Sequence, residues 1–175
     1  MKLLITYKSK TGFTKRYAEM IAEETRCEVL AFDEVTVEKM SEFDIVVFGG
    51  GLYAGWVNGL AKARSMFEKS NAKEFIIFAT GGTSNAAKEA IDEVWTRNLT
   101  AEELESIPYY YMQAGICYER MSFADKALMK TAASMLSKKK DKTDFEEGFA
   151  QAIQKSYDIT DRKYAEPLIR YLAER

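Results

Sequence analysis

Leu3-Leu4-Ile5-Thr6-Tyr7-Lys8-Ser9-Lys10-Thr11-Gly12-Phe13-Thr14 decides the fold. A short apolar run, Leu3 to Tyr7, passes directly into a polar loop with one glycine and then into a segment of helical period. From Thr14 to Glu24, Tyr17, Met20 and Ile21 fall on one side of a helix, and Lys15, Glu19 and Glu23 on another. The same alternation recurs along the chain. Further apolar runs lie at Cys27 to Phe32, Ile45 to Phe48, Phe75 to Ala79 and Tyr109 to Met112, giving five expected strands. Helical segments are expected at Val57 to Lys69, Thr83 to Arg97 and Ser122 to Lys139, then Phe145 to Ser156 and Glu166 to Ala173. Ala87, Ala90, Ile91 and Val94 form the expected inner face of the second of these, and Ser122 the N-cap of the third. The stretch after the second strand is weakly helical. Strands alternating with helices call for crossover connections on a parallel sheet, so the class is α/β, a doubly wound sheet with helices on both faces. In such a sheet ligands bind at the carboxyl ends of the strands, which directs attention to the strand-to-helix loops.

Composition narrows the chemistry. The 175 residues are 47% apolar, enough for one domain spanning 1–175, and no linker or repeat divides them. Lysine and arginine number 25 against 27 acidic residues, so net charge points neither to nucleic acid nor to a strongly acidic docking surface. There is no histidine, which removes the commonest general base and the commonest metal ligand, and no metal site is expected. Cys27 and Cys117 are far apart and read as reduced thiols. The amino terminus lacks a secretory apolar region and no run is long enough to span a bilayer, so a cytoplasmic protein without a transmembrane segment is expected. The run Lys138-Lys139-Lys140-Asp141-Lys142 reads as a solvated helix end, with peripheral membrane contact as the other possibility.

The loop Ser9-Lys10-Thr11-Gly12-Phe13-Thr14 brings hydroxyls and free amides to a helix start, and Gly12 removes a Cβ that would hold a ligand oxygen away. That suits a phosphate, whereas the plainer reading makes Thr11 and Thr14 simple caps. Neither the GxxxxGK[ST] nor the GxGxxG loop is present here, which disfavours ATP and NAD. At the ends of the third and fourth strands stand Gly49-Gly50-Gly51-Leu52-Tyr53-Ala54-Gly55 and Thr80-Gly81-Gly82-Thr83.

Ser9-x-Thr11-Gly12-x-Thr14 resembles the FMN-phosphate loop of flavodoxins, and the two later loops correspond to those between which the flavin lies in that family. Pro108 through Gly115, then Tyr118, Asp125-Lys126 and Leu128-Met129, are similar to the branch that includes menaquinone-dependent protoporphyrinogen dehydrogenases. The resemblance covers nearly the whole chain. It implies a flavodoxin-like sheet of order 2-1-3-4-5, an FMN cofactor and electron transfer to a redox partner protein or a small-molecule electron acceptor. The cofactor-binding residues it implies are Ser9, Lys10, Thr11, Gly12, Phe13 and Thr14 for the phosphate; Gly50, Gly51, Leu52, Tyr53, Ala54, Gly55 and Trp56, with Thr80, Gly81, Gly82 and Thr83, for the ring; and Gly115 and Tyr118 beyond it. Gly50 and Gly51 are expected to adopt φ > 0 and tune the cofactor, or else to form a tight turn. Tyr53 and Trp56 are candidates for stacking, Trp56 alternatively packing on the next helix. Cys117 either borders the ring or is a small buried apolar residue.

Three other functions compete. A flavin-dependent dehydrogenase of the protoporphyrinogen/quinone type needs a substrate surface, expected near Trp56 and Tyr118. A binding module that has lost FMN is countered by the intact threonine and glycine loops. A phosphate-receiving signalling domain fails because Lys8-Ser9 and Gly49-Gly50 stand where it needs acidic residues.

Overall fold

A computed structural model describes residues 1–142, 150 and 153–175. Its elements in chain order are β1 (Leu3–Lys8), α1 (Phe13–Thr25), β2 (Glu28–Ala31), α2 (Val37–Met40), β3 (Ile45–Tyr53) and β4 (Trp56–Val57). They continue with α3 (Leu60–Glu68), β5 (Glu74–Gly81), α4 (Lys88–Asn98), α5 (Ala101–Ser106), β6 (Tyr109–Gln113), α6 (Phe123–Lys138) and α7 (Arg162–Ala173). The sheet runs β2-β1-β3-β5-β6 with every neighbour parallel, and β4 pairs antiparallel with the end of β3. With β4 set aside, this is the expected order and the flavodoxin-like doubly wound architecture.

Period-two burial distributes the strands between two apolar layers. Leu4, Val46, Phe48 and Ile77 join Phe32, Met40, Leu60, Ala63 and Trp95 on one face. Ile5, Val47, Ile76 and Phe78 join Tyr17, Ala18 and Ile21 of α1 and Leu168 and Leu172 of α7 on the other. Each fully buried Leu, Ile, Val, Phe or Met among them contributes about 1.5–3 kcal/mol relative to exposure. Register then aligns the strand ends: Lys8 lies opposite Gly50, Gly51 opposite Thr80, and Gly81 opposite Gln113. The open edge of β6 is covered by Asn85, whose Nδ2 donates to the Tyr111 carbonyl at 3.3 Å and whose Oδ1 accepts from the Gln113 amide at 2.9 Å. An amide side chain there imitates a neighbouring strand and blunts the edge.

Several boundaries differ from expectation for local reasons. β3 continues past Phe48 through the glycines to Tyr53 because β1 and β5 both pair with it there. Val57 is a strand residue, and the helix starts at Leu60 after Gly59, whose φ of 86° sets the left-handed N-cap. Thr83 to Ala87 precede the helix that begins at Lys88, since Asn85 is drawn to β6. On α4 it is Trp95, 3% exposed, that anchors the inner face, with Ala87, Ala90, Ile91 and Val94 half-buried. α7 begins at Arg162 rather than Glu166 because the Asp161 carboxylate accepts from the Lys163 amide at 2.9 Å. The helix expected over Phe145 to Ser156 lies outside the described residues except for Ala150 and 153–156, and 153–155 form a turn. Among the described residues, no helix is long and apolar enough to cross a membrane.

Candidate functional site

The three strand ends open into one cavity of about 460 Å³. Its first wall is the β1–α1 loop. Gly12 adopts φ 97° as the N-cap of α1, with no side-chain cap and no acidic residue in the first turn. The Ser9 hydroxyl is turned inward and accepts from the Gly12 amide at 3.1 Å. The first amides of α1 are therefore left without a side-chain acceptor, and the positive end of the helix dipole faces outward. Lys10, Thr11, Phe13 and Thr14 line the cavity, whereas Ser9 and Gly12 shape the loop from behind. At its floor the Thr14 and Thr80 hydroxyls, both buried, lie 2.8 Å apart and join α1 to β5.

The second wall is the end of β3, where the three glycines serve different neighbours. A Cβ on Gly49 would lie 2.1 Å from the Phe78 ring, and one on Gly50 would lie 2.4 Å from Val57 and 2.9 Å from the Asn58 carbonyl. Those two glycines admit a core ring and the β4 strand, and Gly50 does not line the cavity. Gly51 does line it, its missing Cβ pointing toward Thr14 Oγ1 at 3.2 Å. The expectation of φ > 0 at Gly50 and Gly51 is corrected: both lie in extended strand, and the positive φ angles fall at Ala54 (50°) and Gly55 (84°). Two left-handed residues between Tyr53 and Trp56 make the tight hairpin turn whose twist suits the flanking strands. Leu52, Tyr53, Ala54 and Gly55 line the cavity, whereas Trp56 on the outer side of the hairpin does not and is 57% exposed.

The third wall is the end of β5, where Thr80, Gly81, Gly82 and Thr83 line the cavity. Tyr111 donates to the Thr83 carbonyl at 2.9 Å and Tyr157 to the Gly82 carbonyl at 3.3 Å. A Cβ on Gly81 or Gly82 would approach those same hydroxyls, at 2.9 and 2.8 Å. The two tyrosines thus fix the loop, and burial pushes both phenol pKa values up. Gly115 also lines the cavity but is fixed by packing, because its Cβ would sit 2.0 Å from the Tyr157 carbonyl where Ile116 and Tyr157 bridge. Tyr118 and Cys117 stand off the cavity. Tyr118 anchors its turn instead, donating from Oη to the Ile153 carbonyl at 2.5 Å and from its amide to Ser156 Oγ at 3.0 Å. Cys117 is half-buried and its thiol donates to Glu119 at 3.4 Å.

Residues not assigned from the loops complete the enclosure. Met121, just before α6, and Asp125, Leu128, Met129 and Ala132 of α6 close the cavity, the last four at the i, i+3, i+4, i+7 spacing that marks one helix face and was the available signal. Asn58 and Val94 add smaller parts of the wall. Lys10 Nζ lies 3.2 Å from Asp125 Oδ1 and 3.8 Å over the Tyr53 ring, tying loop, hairpin and helix together. The Ser122 hydroxyl, then Tyr53 and Lys10, hold the Asp125 carboxyl below the usual carboxylate range. Among the described residues, no group of three cysteine or acidic side chains is placed to hold a metal.

This donor set suits the FMN that the resemblance implies: uncapped amides and hydroxyls for a phosphate, backbone polar groups at two strand ends for a ring edge, and apolar walls for its faces. A flavodoxin domain model matches residues 4–144 of the chain. An uncharacterised protein of Methanocaldococcus jannaschii is 34% identical over 84 residues, which are 47% of this chain and 55% of that protein, so the match spans about half of its length. Among solved structures, an archaeal flavodoxin covers 89% of this chain and 100% of its own at 17% identity, with a TM-score of 0.39. A flavoprotein from Lactobacillus acidophilus solved with FMN covers 64% of this chain and 91% of its own at 17% identity and a TM-score of 0.44. Likenesses this distant say nothing of function.

Proposed function

We propose that this chain, which belongs to the flavodoxin domain family, is a single cytoplasmic domain over 1–175 that holds one FMN in the cavity between β1, β3, β5 and α6 and transfers electrons. The observation that carries the reading is the convergence of an uncapped helix start with two glycine-bearing strand ends on one cavity. Thr11 and Thr14 and the first amides of α1 would hold the phosphate. Leu52, Tyr53, Gly81 and Gly82 would hold the ring, with Tyr53 offering a stacking surface. When bound, the cofactor would accept and give electrons, and the protein supplies position and electrostatics. Thr80, Gly81 and Gly82 would present fixed backbone polar groups, while the α6 stripe would keep water from one side. The ammonium of Lys10, held beside Tyr53, places a positive charge at the rim. Among the described residues, Lys10 and Asp125 are the cavity-lining side chains that carry full charge, and they pair with each other.

Partners would be a redox protein or a small-molecule electron acceptor. One feature favours the dehydrogenase as a second reading. The apolar stripe of α6 extends the cavity beyond the glycine loops, as a substrate surface would require.

The test is to add FMN to the purified protein, desalt it and record the visible spectrum, then reduce it stepwise without oxygen. Retained flavin with two resolved one-electron stages is expected. Retained flavin that takes up electrons only in pairs, together with turnover of a quinone, favours the dehydrogenase. Loss of all flavin on desalting overturns the reading.

A further inference from the structure

We propose that Arg120 is a binding residue for the phosphate group, making this a charge-assisted site for a phosphate monoester dianion; the inference rests on the flavin reading above. The Arg120 guanidinium lies over the β1–α1 loop, with Nη1 donating to the Thr11 carbonyl at 3.4 Å and standing 2.6 Å from where a Gly12 Cβ would be. Gly12, at φ 97°, leaves that space open. Beneath it is the N-terminus of the 13-residue α1, which has no side-chain cap and no acid in its first turn. Two sources of positive potential thus meet at one loop, an arrangement that an anion bound there would stabilise. No carboxylate relieves it, since among the described residues Arg120 pairs with none. Asp125 is committed to Lys10 at 3.2 Å, and Glu119 turns away to accept from Ser156 at 2.7 Å.

The side chain is also carried on a fixed turn. The Arg120 amide donates to the Cys117 carbonyl at 3.3 Å, and Tyr118 pins the turn to Ile153 and Ser156. A guanidinium presented from this turn can recognise phosphate through several donors at once. It contributes nothing to a ligand that lacks the phosphate, so it would discriminate FMN from riboflavin.

The experiment titrates FMN and, separately, riboflavin against the wild-type chain, Arg120→Ala, Arg120→Gln and Arg120→Lys, following quenching of flavin fluorescence at low and high salt. Arg120→Gln keeps a polar side chain and removes the charge. Expected is a roughly ten-fold weaker FMN affinity for the alanine and glutamine variants at low salt, less at high salt, with riboflavin affinity unchanged and lysine retaining most of the effect. Unchanged FMN affinity, or an equal loss for both flavins, overturns the assignment of Arg120 and leaves the flavin reading intact. A wild-type chain that binds neither flavin overturns that reading, and this inference with it.

Discussion

Gly49, Gly50 and Gly51 are indistinguishable in sequence, yet each lacks a side chain for a different reason. The first faces the Phe78 ring, the second the β4 strand, and the third the cavity. Substitution should separate them. Gly50→Ala drives a methyl into Val57 and the Asn58 backbone, neither of which yields easily, and should lower unfolding free energy by about 1–3 kcal/mol in urea titration. Gly51→Ala meets the Thr14 hydroxyl at 3.2 Å and the Thr80 hydroxyl at 3.8 Å, both side-chain atoms, so its stability should change little while FMN affinity falls by roughly ten-fold, about 1.4 kcal/mol. If Gly51→Ala retains full affinity, its placement at the ring is wrong. A glycine run in sequence announces close approach but not what approaches, because that depends on strands and side chains tens of residues away.

At the scale of elements, α6 stands apart. It spans 16 residues without one buried side chain, with Phe123 91% and Met135 69% exposed, and it joins neither apolar layer. Among the described residues, its hold on the body comes from its cavity-facing stripe and the Lys10–Asp125–Tyr53 cluster. Removing the charge with Asp125→Asn should loosen it by about 0.2–1 kcal/mol, the range of an exposed ion pair. Tryptic cleavage at Lys126 and Lys130 should then quicken by up to about five-fold relative to wild type, read from timed digests. Because the folded-state pKa of Asp125 is depressed, its contribution is complete above the ordinary carboxylate pKa and is lost only as pH falls through the lowered value. The difference between variant and wild type should therefore be the same at pH 7 and pH 8. Ser122 and the lysines at the far end make this helix readable in sequence, but its apolar stripe looks like an ordinary core face until its partner proves to be a cavity.

Across the whole molecule, Tyr17 connects three parts of the chain. Fully buried in α1, it donates to the Gln113 carbonyl at the end of β6 and accepts from the Asp161 amide at 3.3 Å, just before α7. Desolvation raises its phenol pKa to about 12. The neutral form belongs to the fold, so its contribution is complete below the unfolded value near 10 and is lost as pH climbs toward about 12. Wild-type stability should fall more steeply over that window than that of Tyr17→Phe, which should be about 1 kcal/mol less stable at pH 7 for want of the hydroxyl. Parallel slopes in urea unfolding at stepped pH would remove Tyr17 from this role. The balance of 25 basic against 27 acidic residues gives the molecule little net charge with which to steer a partner.

Sequence alone determined the five parallel strands, the helices between them and the three loops at their carboxyl ends, because hydrophobic period and glycine or hydroxyl punctuation are local properties. Tertiary structure decided what those loops surround. It turned Val57 from a helix start into a strand, moved the left-handed backbone from Gly50 and Gly51 to Ala54 and Gly55, and took Tyr118 off the cavity to anchor a turn. It also brought Arg120 over Gly12, 108 residues earlier in the chain, and set Asp125 beside Lys10. Each of these depends on contacts between segments distant in sequence, and such contacts are fixed by the register of the sheet and the volume of its packed layers rather than by any pattern within one segment.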